Sequence, residues 1–270
     1  MSAGAWTGGP AGPAAFCVLA PNPGPMTLDG TNTWVLAAPG ASGAVVVDPG
    51  PDDEGHLAAV LAAVRDRDLR VAQVLLTHGH ADHSEGARRF AELAGAGVRA
   101  LDPEHVFGAE GLGEGEVVEV DGLRVEVVGT PGHTSDSLCF VLPDFASVLT
   151  GDTVLGRGTT VVAHPDGRLA DYLASLQRLE RLTREHPLEQ VLPGHGPVLA
   201  VPDAPPADVL AFYLRHRSER LDQVRAAVAA GAVTATDVVE RVYADVPREV
   251  WPAAELSVRA QLEYLGLPLA

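Results

Sequence analysis

The sequence predicts a layered α/β fold over residues 1–200 and a small helical unit over residues 207–270. Three observations support this prediction. Short β-prone segments rich in Val and Leu interleave with amphipathic helices along the first 200 residues. Several of these segments end at a Gly-rich turn that carries a His or an Asp. A Pro-rich break at residues 201–206 then separates them from a stretch whose patterns are only helical.

The first half of the chain is predicted to be mainly β-structure. Residues 1–15 are rich in Gly, Pro and Ala, and we expect them to form a flexible lead. The β-prone runs predict strands at 15–20, 31–37, 44–47, 71–76 and 98–101, with a hairpin turn at 39–43. Apolar residues at helical spacing predict one helix at 54–66 and a second from the N-cap Ser84 to about residue 95.

The second half predicts a second set of strands and four helices. Residues 102–116 are expected to be irregular, and Asp121-Gly122 marks a hairpin between strands at 116–120 and 123–128. Further strands are predicted at 138–142, 147–149 and 190–192. Leu recurs at helical spacing through 169–182, which predicts an amphipathic helix. Beyond the break we expect helices at 207–230, from the cap Thr236 to Tyr243, and at 252–265.

Composition limits where the protein acts. No apolar run approaches the length of a membrane span. The N-terminus lacks the basic start and apolar core of a secretory signal. The two cysteines, Cys17 and Cys139, do not make a disulfide framework. We therefore expect a cytoplasmic protein without a membrane partner, and we expect Cys139, which alternates into a strand, to lie in the core.

Charge limits the partners and the chemistry. The net charge of −17 disfavours non-specific binding of nucleic acid, which depends on neutralising phosphates. The helical unit has seven Arg against nine Asp and Glu, so we expect no duplex DNA partner. A small site that cuts RNA is not excluded. All nineteen basic residues are Arg, which excludes lysine Schiff-base chemistry and a P-loop lysine.

The densest chemical signal follows the buried strand at 71–76. It is the run Thr77-His78-Gly79-His80-Ala81-Asp82-His83. Imidazole and carboxylate are preferred ligands of zinc and similar ions. His78 and His80 can face the same way in an extended turn, whereas Asp82 and His83 lie beyond and can serve a second ion. A His-rich polar loop is the alternative, but half of the ten histidines lie in contexts of this kind.

Four more strand ends carry residues of the same type. His133, Asp152 and His195 each stand beside Gly, which lets the backbone turn sharply and approach closely. Asp48 ends the apolar strand at 44–47, where an unpartnered carboxylate would be costly. We predict that Asp48 hydrogen-bonds to a ligand histidine; a simple turn residue is the alternative.

Taken in chain order, these residues resemble the motifs of the metallo-β-lactamase superfamily, and the resemblance spans most of residues 15–200. It implies an αββα sandwich with a site for two metal ions. The implied ligands of the first ion are His78, His80 and His133, those of the second are Asp82, His83 and His195, and Asp152 bridges the two.

A narrower resemblance is to the beta-lactamase-like protein 2 group. The matching motifs lie at 22–23, 30–33, 151–160 and 193–197. Members of that group carry a C-terminal winged-helix-like domain, which would correspond to residues 207–267. The group includes an endoribonuclease of single-stranded RNA, and it has relatives that hydrolyse thioesters of acyl carrier protein. Genuine β-lactamases of this fold are exported and lack the Asp at position 152, so antibiotic hydrolysis is not the expected activity.

The expected cofactors are two divalent metal ions, with zinc first and manganese or iron as alternatives. Such a pair makes hydroxide available near neutral pH. We expect that hydroxide, shared by the ions beside Asp82 and Asp152, to be the nucleophile. His164 is a further catalytic candidate, as a substrate contact or a proton donor to the leaving group; an exposed loop histidine is the alternative. Asn32 is a substrate-contact candidate, with an ordinary turn residue as the alternative.

The sequence thus favours a hydrolase of an ester, thioester or lactone, with a small-molecule or acyl-carrier substrate. The alternative is a metal-dependent endoribonuclease of single-stranded RNA. A non-enzymatic metal-binding protein is the third hypothesis, and it is weak because every expected ligand type is present. Arg217 and Arg220, with Tyr213 on the same helix, are candidates for a cleft wall or for ordinary helix surface. The remaining histidines, His56, His105, His186 and His216, are expected at the surface.

Overall fold

The computed structural model describes residues 5–268, and it contains two six-stranded β-sheets. The first sheet has its strands side by side in chain order: β1 (Gly9–Ala11), β2 (Ala15–Leu19), β3 (Asn32–Leu36), β4 (Gly43–Val47), β5 (Arg70–Leu75) and β6 (Val98–Arg99). The second comprises β7 (Val117–Val120), β8 (Leu123–Gly129), β9 (Leu138–Leu142), β10 (Ser147–Gly151), β11 (Gln190–Pro193) and β12 (Leu199–Ala200), also side by side in order.

Seven α-helices accompany the sheets in the described part of the chain. They are α1 (Glu54–Arg65), α2 (Ala81–Ser84), α3 (Ala87–Ala94), α4 (Leu169–Glu185), α5 (Pro206–Ala229), α6 (Ala235–Val242) and α7 (Trp251–Leu265). Short 3-10 turns occur at 103–105, 143–145 and 248–250. Within residues 5–268, no helix combines the length and the apolar character that crossing a membrane requires.

The elements form four layers. Trp34 and Leu75 of the first sheet pack between the sheets against Phe140 and Leu149 of the second. Helices α1 and α3 cover the outer face of the first sheet, and α4 and α5 cover that of the second. Because both faces are covered, β4 and β9 are buried along their whole length, as their uninterrupted apolar sequences require. The expected αββα sandwich is confirmed.

Strand direction brings the chemical residues to one edge of the sandwich. β5 runs parallel to β4, and β11 runs parallel to β10. Parallel neighbours end on the same side of a sheet, so the turns after β4, β5, β10 and β11 lie together. A backbone bridge between Thr31 and His195 and a hydrogen bond from Leu138 N to Thr77 O (2.7 Å) join the two sheets at this edge.

Three local predictions were wrong. Residues 9–11, expected in a flexible lead, form β1 and pair with β2. α6 begins earlier than expected: Thr234, not Thr236, is the N-cap, and it forms a capping box with Asp237. Ser84, expected as the N-cap of the helix that ends near residue 95, is instead the last residue of the short helix α2, and Gly86 is the residue that precedes α3. In each case, a contact made in the folded structure or by a neighbouring side chain outweighs the structural preference of the local composition.

The capping box predicts a measurable contribution to stability. Thr234→Ala removes the side-chain acceptor of the Asp237 N–H, so the free energy of unfolding should fall by about 1 kcal/mol. Urea denaturation followed by far-UV circular dichroism measures this change. Thr236→Ala is the matched control: Thr236 is exposed and only meets Glu255 at the surface, so its loss should cost less than about 0.5 kcal/mol. Equal losses in the two variants would contradict the assignment of the cap.

Candidate metal centre

The turn after β5 places three imidazoles and a carboxylate at the shared edge. Leu75 and Leu76 are buried, and the chain then turns through Thr77 and His78 into α2. α2 is a single helical turn, and it carries Asp82 and His83 beside each other. The run predicted as the centre of the chemistry is therefore held between a buried strand and a short helix.

Three histidines form the first set of donors. His78 Nε2 lies 3.0 Å from His80 Nδ1, and His133 Nε2 lies 3.1 Å from the same nitrogen. One ligand atom from each side chain falls within 4.8 Å of the other two. His78 and His133 are buried, whereas His80 is exposed, so this set has one side open to solvent.

The second set consists of Asp82, His83 and His195. His83 Nε2 and His195 Nε2 are 3.2 Å apart. Asp82 Oδ2 lies 3.2 Å from the His195 nitrogen and 3.5 Å from that of His83. Both histidines are buried, and Asp82 is partly exposed. The second set is thus open on the side where Asp82 lies.

Asp152 lies between the two sets. Its Oδ2 is 3.3 Å from His195 Nε2 and 3.7 Å from His133 Nε2, and its Oδ1 is 3.5 Å from His83 Nε2. Oδ1 is buried and accepts no hydrogen bond from any residue of the described chain. A buried carboxylate oxygen without a donor is unfavourable unless a cation faces it.

The outer hydrogen bonds fix the tautomers of the histidines. Nδ1 of His133 faces the carbonyl oxygen of Val161 at 2.7 Å, and Nδ1 of His195 faces that of Gly30 at 3.2 Å. Carbonyl oxygens only accept, so both Nδ1 atoms donate, and in the neutral ring Nε2 carries a lone pair. These lone pairs point inward at other imidazole nitrogens. Such an arrangement requires a proton or a metal ion between them, and the donor set fits a metal ion.

Asp48 connects the two sets. Its Oδ2 accepts from Nδ1 of His83 at 2.8 Å and from the hydroxyl of Thr77 at 2.7 Å, and its Oδ1 accepts from the Thr77 N–H at 2.8 Å. Since the Thr77 hydroxyl donates to Asp48, it accepts from Nδ1 of His78, 3.0 Å away. One carboxylate thereby orients a histidine of each set. The geometry agrees with the predicted contact between Asp48 and a candidate ligand.

Burial and neighbouring charges shift the pKa values of several side chains in the two donor sets. Burial, and then the charges of His83 and His133, hold the pKa of His78 well below its usual value. Burial also lowers the pKa of His195, but the neighbouring Asp152 and the hydrogen bonds of Asp152 and Asp82 outweigh it and raise that pKa to about 9. Burial raises the pKa of Asp82, but His195 and His83 more than offset this and lower it to about 2. Protons therefore concentrate in the second set, whereas burial keeps His78 and His133 of the first set neutral.

Two glycines are required by close approach. A Cβ on Gly194 would lie 2.5 Å from Asp152 Oδ1 and 2.8 Å from Cε1 of His83. A Cβ on Gly132 would lie 2.3 Å from the backbone of Tyr172, and the φ of Gly132 is +135°, which L side chains rarely adopt. The glycines beside His133 and His195 thus let the strand ends approach the centre.

The side chain of Asn32, a candidate for contact with the substrate, is already fully engaged within the protein. It is fully buried, and its amide donates to the carbonyls of Pro193 and Gly196, each at 2.9 Å. Its carbonyl oxygen accepts from Trp6 Nε1 and from the Cys17 thiol. All four of its hydrogen-bonding positions are used, so none is available to a substrate. Asn32 instead holds the turn that carries His195.

His164 and His56 also differ from expectation. The imidazole of His164 lies 3.9 Å from Glu263 of α7, and its backbone N–H donates to Leu256 O, so its contacts are with the C-terminal helix rather than with the donor sets. The predicted contact of His164 with the substrate finds no support in this placement. His56 is buried, not exposed, and its Nε2 lies 2.9 Å from Thr33 Oγ1. Cys139 lies in the core as expected.

Sequence reasoning missed two threonines that orient the donors. Thr77 links Asp48 to His78, and Thr31 places its hydroxyl 3.3 Å from Asp82 Oδ2. Both lie next to residues that were singled out, Thr77 before His78 and Thr31 before Asn32. Their position beside a motif could have marked them as candidates. The partner of each hydroxyl, however, is determined only when the two sheets pack together.

Comparison with known proteins gives a family for this architecture. The family model described as Metallo-beta-lactamase superfamily matches residues 26–195, and that described as Beta-lactamase associated winged helix domain matches residues 234–266. A metallo-beta-lactamase family protein from Thermus thermophilus has a crystal structure that superposes with a TM-score of 0.77 at 24% identity, over 94% of this chain and 93% of that one.

Two curated relatives are similar to this chain over different lengths. The Beta-lactamase-like protein 2 homolog of Caenorhabditis elegans is 30% identical over 257 residues, which cover 92% of this chain and 82% of that protein. The Atrochrysone carboxyl ACP thioesterase of Aspergillus fumigatus is 36% identical over 192 residues, which cover 69% of this chain and 57% of that protein. With its αββα sandwich and its helical C-terminal unit, the chain belongs to the metallo-beta-lactamase superfamily, is similar to beta-lactamase-like protein 2 and carries the associated winged helix domain.

Proposed function

We propose that this chain, a metal-dependent hydrolase, holds two divalent ions and cleaves an ester, thioester or lactone, with an acyl-carrier thioester as the leading substrate. One observation carries the proposal: two sets of inward-facing donors converge on Asp152, whose buried Oδ1 has no hydrogen-bond donor within the described residues. The similarity to a protein named as an acyl-carrier thioesterase supports the substrate class.

The residues divide as their geometry suggests. His78, His80 and His133 would hold one ion, Asp82, His83 and His195 would hold the other, and Asp152 would contact both. Zinc suits nitrogen and carboxylate donors best, with manganese or iron as alternatives. Ions of this type supply an acidified water and polarise a carbonyl or phosphoryl oxygen.

The chain's own residues would orient the reactants. Asp82 is partly exposed, and its Oδ2 is fixed by Thr31 and His195. With a pKa lowered to about 2, Asp82 stays ionised at neutral pH, so it orients a proton rather than storing one. Asp82 and the exposed His80 mark the open side, and the substrate would approach there. Asp152 is nearly enclosed, which suits a residue that spans two ions.

The endoribonuclease alternative has less support. A chain with a net charge of −17 is poorly suited to collect phosphates along a polymer. The thioesterase similarity favours an acyl substrate instead. Single-stranded RNA therefore serves as a comparison substrate in the experiment below.

The proposal predicts metal content and activity together. The purified chain loaded with zinc should bind two ions, measured by mass spectrometry of the metal, and should hydrolyse the hexanoyl thioester of N-acetylcysteamine but not a single-stranded RNA oligonucleotide. His195→Ala should reduce the content towards one ion and abolish most of the activity. A wild-type content of one ion would contradict the binuclear site, and cleavage of RNA without thioester hydrolysis would contradict the substrate class.

Asp48 should control how firmly the ions are held. In Asp48→Asn, the amide N–H₂ would face the Nδ1–H of His83 and the hydroxyl of Thr77, so both histidine orientations would weaken. We expect a loss of about 10- to 100-fold in metal affinity or activity. Asp68→Asn is the matched control, since Asp68 is exposed and also has a positive φ, of 57° against 51° for Asp48. A comparable loss in the control, or none in Asp48→Asn, would rule out this role for Asp48.

The two ions should differ in their pH dependence. The pKa of His195 is raised to about 9, so at neutral pH binding of the second ion displaces a proton, whereas His78 and His133 are already neutral. Affinity for the second ion should rise between about pH 6 and pH 9, by up to about tenfold per pH unit for each proton displaced, and affinity for the first should rise less steeply. Chelator-competition titrations and proton release in weak buffer measure this. Equal slopes for both ions would refute it.

A further inference from the structure

A cavity lies between the α/β sandwich and the C-terminal helices. We call it the α5 pocket; it holds about 240 Å³, and its walls include Met26, Val161, Arg217, Arg220, Tyr243 and Ala254. Its wall is shared with the metal centre. Thr160 lines the pocket, and its hydroxyl lies 3.1 Å from Nδ1 of His133. Only Thr160 would thus lie between a group bound in the α5 pocket and His133 of the first donor set.

Arg217 is buried in this wall without a counter-charge. It is 4% exposed, and no other arginine of the described chain is buried to that degree. Arginine is rarely so buried unless it is paired. Its Nη2 donates to the carbonyl of Thr160, and its guanidinium lies over the ring of Tyr172, 4.8 Å from the centroid. Its Nε has no hydrogen-bond partner among residues 5–268, and no carboxylate oxygen of those residues lies within 4.0 Å of the group.

The second charged side chain of the pocket, that of Arg220, has the same sign. Arg220 also lines the pocket and has no carboxylate partner in the described part of the chain; it donates to Val242 O and stacks on Tyr243. His216 contributes a buried Nδ1 without a partner there. Burial, and then the charges of Arg217 and Arg220, lower the pKa of His216. The walls described include no Asp or Glu, although the chain has 36 of them against 19 Arg.

We propose that the α5 pocket is a substrate subsite for an oxyanion, a carboxylate or a phosphate, carried on an apolar stem. Arg217 and Arg220 would bind the oxyanion, because guanidinium groups match its geometry. Val161, Ala254 and Met26 would contact the stem. The volume suits one small group and not a polymer backbone. This inference rests on the proposed function, since it names the substrates that the metal centre would receive.

The test compares three thioesters that differ in the position of the charge. The hexanoyl thioester of pantetheine is neutral, the adipoyl monothioester of pantetheine adds a carboxylate to the acyl chain, and hexanoyl-pantetheine 4′-phosphate adds a phosphate to the thiol side. The zinc-loaded wild type should show a KM at least roughly tenfold lower for one charged substrate than for the neutral one. The substrate that shows the preference identifies the source of the oxyanion.

Arg217→Met retains an unbranched, largely apolar stem and removes the guanidinium and its charge. For the preferred substrate, kcat/KM should fall by roughly 10- to 100-fold, mainly through KM, and the loss for the neutral thioester should be at least tenfold smaller. Arg215→Met, an exposed position on the same helix, is the control. Arg220→Met provides a second variant if Arg217→Met does not fold. Equal losses for all three substrates would show a structural role and would overturn the proposal.

Binding measurements separate this proposal from the proposed function. If no thioester is hydrolysed, the hydrolase proposal fails, but calorimetric titration of the full zinc-loaded chain with hexanoate and with pantetheine 4′-phosphate still tests the pocket. One of them should bind the wild type and Arg215→Met with the same affinity, and Arg217→Met roughly tenfold or more weakly. Binding that is equal in all three proteins, or absent in all, would refute the oxyanion subsite.

Discussion

A single buried carboxylate, that of Asp48, couples the fold to the metal centre. Asp48 is 1% exposed at the end of β4, where a charge without partners would be expensive. It receives three hydrogen bonds, two from Thr77 and one from His83, and this network offsets the cost of burying it. Thr77 and Asp48 can meet because β4 and β5 are parallel neighbours. The register of one strand pair thus determines how a histidine of each donor set is oriented.

The centre also depends on the closure of the two sheets against each other. The first sheet supplies His78, His80, Asp82 and His83, and the second supplies His133, Asp152 and His195. Neither sheet supplies all the donors of the two sets. Bonds from Asn32 and from Trp34 Nε1 to the Pro193 carbonyl fasten the His195 turn to the first sheet. The apolar core between the sheets and the donor sets at their edge are therefore formed by the same event.

How much of the structure could be predicted from the sequence depends on how far apart along the chain the interacting residues lie. Periodicity located nearly all long strands and helices, because burial of one face is a local pattern. The chemical residues stood out because His and Asp followed apolar strands beside Gly. Asn32 could not be recognised in this way: the two carbonyls to which its amide donates are more than 160 residues away, so a buried positioning residue looked like a substrate contact. β1 was missed because its pairing with β2 outweighed the local composition, and the cap of α6 was missed because two threonines, two positions apart, could both start the helix.

The C-terminal helices matter to the centre through the segment at 155–164. Tyr213 accepts the Leu155 N–H, Arg217 donates to Thr160 O, and Ser257 accepts the Val162 N–H. This segment presents the Val161 carbonyl that fixes the tautomer of His133. His164 belongs to the same contact, since its backbone N–H donates to Leu256 O of α7 and its imidazole lies 3.9 Å from Glu263. The helical unit thus has a structural reason to be attached: it braces the segment whose Val161 carbonyl fixes the tautomer of His133 in the first donor set.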